Sequence, residues 1–81
     1  MPEFQYVYLL ISECGAHRYV GCTGDLKKRL HKHNKGEVPH TAKFRPWKIE
    51  TAIAFRDTKK AADFERYLKS HSGRSFATKH F

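Results

Sequence analysis

Tyr8, Tyr19, Arg29, His33 and Glu65 are the residues of this chain whose types suit work on a phosphate. A tyrosine hydroxyl donates, accepts or passes a proton. An arginine presents a planar, permanently charged fork that makes two parallel hydrogen bonds to phosphate oxygens. A histidine titrates near neutrality and can donate to a phosphate or move a proton, and a carboxylate can hold magnesium against substrate phosphate and water. Each also has a plainer use. Tyrosines pack as amphipathic core residues, His33 can be a surface histidine at a helix end, and Glu65 stands four residues before Lys69, the spacing of an ordinary helix salt bridge.

The elements around these residues decide whether they meet. From Phe4 to Ile11 nearly every side chain is aromatic, branched or aliphatic, which predicts a central strand covered on both faces. Ser12 to Ala16, with Gly15, has turn chemistry, and His17 to Cys22 then returns antiparallel. If Ile11 pairs with Ala16, Tyr8 lies directly opposite Tyr19. A shift of the pair sum by two keeps them diagonal on one face, whereas a shift by one separates them. Thr23 and Gly24 offer an N-cap region, with Asp25 near the positive end of a helix running to about Asn34. Leu26 and Leu30 form its apolar stripe, and Asp25, Arg29 and His33 form a polar row that borders the sheet without being buried under it. Lys35 to Pro46 reads as a long basic loop. Trp47 to Phe55 predicts a third strand with Ile49, Thr51, Ile53 and Phe55 on one side. Asp57 or Thr58 can cap a helix through Ser70, with Ala61, Phe64 and Leu68 facing the core. Ser72 and Gly73 break it, and Arg74 to Lys79 forms a short terminal helix.

Charge points to the partner. Sixteen Lys and Arg against eight Asp and Glu give a net charge of +8, and residues 17 to 48 alone contribute +7. A middle third this basic suits a polyanion such as nucleic acid. Lys27, Lys28, Lys32, Lys35, Lys43 and Arg45 are the candidate contacts to its backbone, although a solvated helix face would look similar. Such contacts are salt-sensitive and largely blind to sequence. Trp47, Phe44 and Tyr67 have rings that can stack on unpaired bases, with core packing or loop anchoring the plainer reading of each.

Other chemistries are less well supported. The 81 residues suit one domain, 1–81, that buries only roughly 60% of its unfolded surface, too little for a spacious internal pocket. No apolar run approaches the ~18 residues that span a bilayer and no leader pattern opens the chain, so a cytoplasmic protein without membrane association is expected. Cys14 and Cys22 fall roughly 20 Å apart along the second strand at about 3.3 Å per residue, which argues against a disulfide. Structural zinc has no Cys-x-x-Cys, and His31 and His33 would point apart on a helix. No phosphate-binding glycine loop is present.

Taken in order, Tyr6-Val7-Tyr8, Tyr19-Val20-Gly21, Thr23, Asp25-Leu26, Arg29, His33-Asn34, Gly36, Pro46-Trp47 and Glu65 resemble the GIY-YIG nuclease family, in the style of its small, stand-alone bacterial members, over essentially the whole chain. The resemblance implies an α/β (α+β) fold, a three-stranded antiparallel sheet flanked by helices, with an active site on one sheet face. It makes Tyr8 the tyrosine of the first motif, Tyr19 that of the second, Arg29 the phosphate-binding arginine, His33 its accompanying histidine and Glu65 the metal ligand. The first motif's glycine is replaced by Tyr6, and no asparagine follows Glu65, where some members have one; Ser72, Arg74, Ser75 and His80 stand in that region.

The mechanism expected on this footing is Mg²⁺- or Mn²⁺-dependent hydrolysis of a DNA phosphodiester. Tyr8 is the favoured general base, and ionising it at pH 7 costs roughly 4 kcal/mol unless its surroundings, Arg29 first, lower that cost. Tyr19 positions the water or shares its proton network. Substrate choice would come from a homodimer, DNA shape or a targeting partner protein. The competing readings are a non-catalytic nucleic-acid-binding module of the same fold and a plain interaction domain. Neither needs an acidic residue facing phosphate.

Overall fold

The computed structural model describes residues 3–81. Three strands, β1 (Gln5–Ser12), β2 (Arg18–Thr23) and β3 (Trp47–Phe55), form one antiparallel sheet in the order β2-β1-β3. Helix α1 (Leu26–Asn34) covers one face, and α2 (Thr58–Lys69) and α3 (His71–His80) cover the other. The central place of β1 follows from its composition. Val7 and Leu9 pack with Ala61, Leu68 and Ala77, while Tyr8 and Leu10 pack with Trp47, Leu26 and Leu30, so consecutive side chains are buried on opposite faces.

The hairpin closes one step beyond the register that would face Tyr8 with Tyr19. Ser12 accepts the turn instead of Ile11: its backbone N–H donates to the His17 carbonyl at 2.9 Å, and its Oγ accepts from the His17 N–H at 3.1 Å. The loop therefore spans residues 13–16, Tyr8 pairs with Gly21 and Leu10 with Tyr19. The shift is by two in pair sum, so both tyrosines keep the same face as diagonal neighbours.

Strand β3 corrects the expected alternation. Leu9 pairs with Thr51 but Leu10 pairs with Ile49, leaving Glu50 in a bulge. One extra residue reverses the side-chain order: Ile49 joins Tyr8, Leu10 and Trp47, whereas Phe55 packs with Val7 and Leu9 on the other side. Glu50 reaches Arg18 on β2 through Oε2 at 3.3 Å, and its Oε1 is buried without a hydrogen-bond partner.

Capping sets the helix limits. Asp25 is itself the N-cap of α1, its Oδ1 accepting from the Lys28 N–H at 3.0 Å. At the other end the Gly36 and Glu37 N–H groups donate to the carbonyls of His33 and Lys32, a Schellman closure with Gly36 at φ +80°. A side chain there would be strained and would also meet the Arg45 guanidinium that lies over the turn. Asp57 caps α2 through the Lys59 and Lys60 N–H groups. The break between α2 and α3 falls at Ser70, with ψ 165°, and Gly73 lies within α3. The terminal helix is thus longer than expected, because Ser70 caps it by accepting from the Gly73 N–H.

The basic loop is more ordered than its glycine and prolines suggest. It contains a short 3₁₀ turn, Ala42–Phe44, and is tied at both ends. The Asn34 side chain accepts from the Trp47 N–H at 2.6 Å and donates to the Trp47 carbonyl at 3.0 Å, replacing a strand partner for the first residue of β3. The Trp47 indole N–H donates to the Thr41 carbonyl at 2.9 Å. Trp47 is 4% exposed and anchors the core.

Candidate active site

The α1 side of the sheet brings four of the five expected site residues to one point. Leu26, Leu30 and His33 fall at i, i+4 and i+7, so the leucine stripe that seats α1 carries His33 inward with it. His33 is fully buried, not a bordering surface residue as its place in the Asp25-Arg29-His33 row suggested. Its Nε2 lies 3.0 Å from the Tyr8 hydroxyl and its Nδ1 lies 2.8 Å from the Thr41 hydroxyl. Tyr19 sets its ring edge-on to the same imidazole, with centroids 5.1 Å apart. Arg29, one turn earlier on α1, donates from Nε to the Tyr8 oxygen at 3.4 Å.

The hydrogen-bond network assigns the protons. Thr41 Oγ1 donates to the Val38 carbonyl at 3.2 Å, so it accepts from His33 Nδ1–H. That leaves Nε2 as a bare acceptor. Arg29 is an obligate donor to the Tyr8 oxygen, so the phenol proton goes to His33 Nε2. Every buried proton then has an acceptor, and one lone pair of the Tyr8 oxygen is unassigned. The reverse tautomer would leave Tyr8, 1% exposed, without an acceptor for its own proton.

Electrostatics follow from burial. Desolvation raises the Tyr8 pKa above its ordinary 10.0; the Arg29 hydrogen bond and charge pull the other way and lose, and Tyr19 and Glu65 add to the rise. Arg29 thus acts in the expected direction, but burial outweighs it and the phenol stays protonated. The Tyr8 hydrogen bond holds the Arg29 pKa up, so the guanidinium is permanently charged. Burial first, and Arg29 second, hold the His33 pKa below 6.5, which keeps the imidazole neutral at pH 7.

Gly21 gives the second motif a steric meaning. It pairs with Tyr8 across the β1–β2 ladder and is buried. A Cβ at this position would collide with the Tyr8 hydroxyl and ring, so only glycine leaves room for the phenol to reach His33.

Glu65 lies on α2, from the opposite layer of the fold, close enough for its charge to act on Tyr8. Its side chain is 25% exposed, and Oε2 lies 3.0 Å from Lys69 Nζ, so the helix salt bridge is made. No group of three or more His, Cys, Asp or Glu residues able to hold a metal occurs among the described residues. His31 is exposed while His33 is buried, as their spacing implied. Both cysteines are free: Cys14 is exposed in the hairpin turn and Cys22 packs on the α2/α3 side, away from Tyr8.

Lys27, Lys28, Lys32, Lys35, Lys43 and Arg45 are all exposed and make no ion pair among the described residues. Phe44 stacks on His17 at 3.7 Å between centroids, and Tyr67 is 42% exposed. Thr41, which orients His33, and Asn34 and Trp47, which hold the Thr41 loop, have roles that sequence reading missed. The Leu26-Leu30-His33 spacing was the available signal for the histidine's burial; Thr41 had none.

A family model described as the GIY-YIG catalytic domain matches residues 4–79. The chain belongs to the GIY-YIG family. The three-stranded sheet with its flanking helices is the fold that membership entails, and the matched region is the family's catalytic domain. The chain is also similar to a protein of the fungus Schizosaccharomyces japonicus named structure-specific endonuclease subunit slx1, at 42% identity over 64 residues. That alignment covers 73% of this chain but 23% of the relative, so the chain spans about a quarter of the relative's length. No solved structure gave a significant match.

Proposed function

We propose that the domain hydrolyses DNA phosphodiesters with Tyr8 as a relay base, using Mg²⁺ or Mn²⁺ held by Glu65. The observation that carries this reading is the chain Tyr8–His33–Thr41 with Arg29 on the same phenol oxygen. A raised Tyr8 pKa makes a standing tyrosinate costly, but the network offers a cheaper route. As an attacking water gives its proton to the free lone pair of Tyr8, the phenol proton moves to His33 Nε2. The charge created on His33 is met by Thr41 at Nδ1. Arg29 faces the oxygen through which charge passes and can offer its remaining N–H groups to the phosphate. Tyr19, against the His33 ring, confines the imidazole and positions the water.

Glu65 fits a magnesium-type ion: it is a single, partly exposed hard oxygen donor, and such ions keep several waters and take one or two protein carboxylates with substrate phosphate. When bound, the ion supplies charge stabilisation at the phosphate and leaving oxygen. Lys69 holds the same carboxylate and must yield it. That ion pair is also what favours the second reading, a non-catalytic nucleic-acid-binding module.

The curated relative's name suggests that the substrate is chosen by DNA structure and that a further protein or a second copy takes part in targeting. This chain's basic loop and α1 would then hold the backbone without reading bases. The small bacterial style that the motifs suggested gains no support from a fungal relative, and the mechanism does not depend on it.

The deciding assay incubates the protein with plasmid, single-stranded and branched DNA in Mg²⁺ or Mn²⁺, beside Glu65→Ala and Arg29→Ala. Wild type should cut, and each variant should lose about 10²-fold or more. Binding without cutting, lost above ~0.2 M salt, supports the module instead. A pH profile tests His33. Because its folded pKa lies below 6.5, cleavage should hold at pH 6.5 and fall only as pH drops through that depressed value. The same shift makes folding stability decrease as pH falls from 6.5 through the folded value, since the unfolded chain binds the proton first. An acid limb at or above pH 7 would exclude His33 as the acceptor.

A further inference from the structure

A groove of about 630 Å³ runs along the outer edge of β2, between that strand and α3. It is a separate feature from the Tyr8–His33 pair but shares two residues with the site. Tyr19 lines it while packing on His33, and Lys69 lines it while holding Glu65. Its floor is apolar, formed by Leu9, Val20 and Ala77, and Arg18 and Arg74 add to its positive rim, with His40 also lining it. No acidic residue lines it. Arg18 is engaged by Glu50, whereas Arg74 is exposed and has no ion pair among the described residues.

We infer that this groove receives one unpaired nucleotide of the nucleic acid, adjoining the phosphate presented to Tyr8 and Arg29. The inference rests on the nuclease reading. An apolar floor under a cationic rim suits a base and sugar below and a phosphate above, and Tyr19 gives the base an aromatic edge to contact. The volume is within the range of small-ligand clefts, about 300–1,000 Å³, and is far too small for a double helix. A strand can enter it only where a nucleotide has left the duplex. Selection of junctions between paired and unpaired DNA then follows from the shape of the domain, with no base-reading element. Arg74 takes the phosphate on the far side of the nucleotide, and Lys69 couples the groove to the site: phosphate drawing its ammonium into the groove frees the Glu65 carboxylate.

The test uses the whole chain with Ca²⁺ in place of Mg²⁺, and a duplex carrying a single-stranded arm whose first unpaired base is 2-aminopurine. Binding should change the probe's fluorescence. Thr78→Trp, an exposed α3 position that fills the groove without changing charge, should abolish that change. It should weaken binding to the junction about tenfold while leaving affinity for fully paired duplex within about twofold. Arg74→Gln should weaken the junction in the same selective way, and circular dichroism establishes that both variants fold. Equal weakening of junction and duplex, an unchanged probe signal in wild type, or competition by free deoxynucleoside monophosphate as tight as the junction itself would overturn the inference. Cleavage in Mg²⁺ separates the two claims. A protein that cuts but ignores Thr78→Trp sinks the groove alone, and one that shows the groove signatures but never cuts sinks the nuclease reading alone.

Discussion

Tyr8→Phe should lower single-turnover DNA cleavage by about 10²–10⁴-fold while the domain remains folded. The substitution removes only the oxygen that joins Arg29 to His33. The ring keeps its place among Leu10 and Trp47, so packing is conserved. The stability cost comes from the buried His33 Nε2 and the partly buried Arg29 Nε left without their partner and amounts to about 1–3 kcal/mol. Cleavage assays beside thermal melts separate the two effects. A rate within threefold of wild type would remove Tyr8 from the mechanism. Adding His33→Ala to Tyr8→Phe should cost little further activity, because a proton relay fails once any member is lost. If the two losses multiply, the residues act independently.

Gly21→Ala should be nearly as damaging to activity and about as damaging to the fold. The new methyl group would occupy the volume of the Tyr8 hydroxyl and outer ring. Tyr8 cannot simply swing aside, since it is 1% exposed and its strand neighbours Val7, Leu9 and Leu10 are equally enclosed. Overpacking of this sort costs about 1–3 kcal/mol. Displacing the phenol by about 1 Å from His33 is enough for a roughly 10²-fold loss of rate. Urea unfolding measures the first effect and cleavage the second. Full activity in Gly21→Ala would show that the Tyr8 hydroxyl does not work from the position seen here.

These outcomes depend on contacts of very different legibility. The strands, their central member and the tyrosines' common face were readable because a strand's side chains alternate with period two, and a register error of two preserves that face. Arg29 was readable from its type and helix spacing. The bulge at Glu50 was not, because alternation within Trp47–Phe55 is unbroken in the sequence and only pairing with β1 reveals the extra residue. Nor was the direction of the Tyr8 pKa, which required weighing a nearby arginine against burial on all sides.

By itself the sequence determined the elements and the set of residues suited to phosphate, since these follow from local periodicity, caps and side-chain chemistry, while the layered arrangement was implied by the family resemblance. Only the tertiary structure decided that His33 enters the core, that Thr41 sets its tautomer and that Tyr8 gives its proton inward. Tyr8 and His33 are 25 positions apart, and Thr41 is 8 further on. Their meeting is a product of helix seating, hairpin closure and a pinned loop acting together, and no local pattern in the chain encodes it.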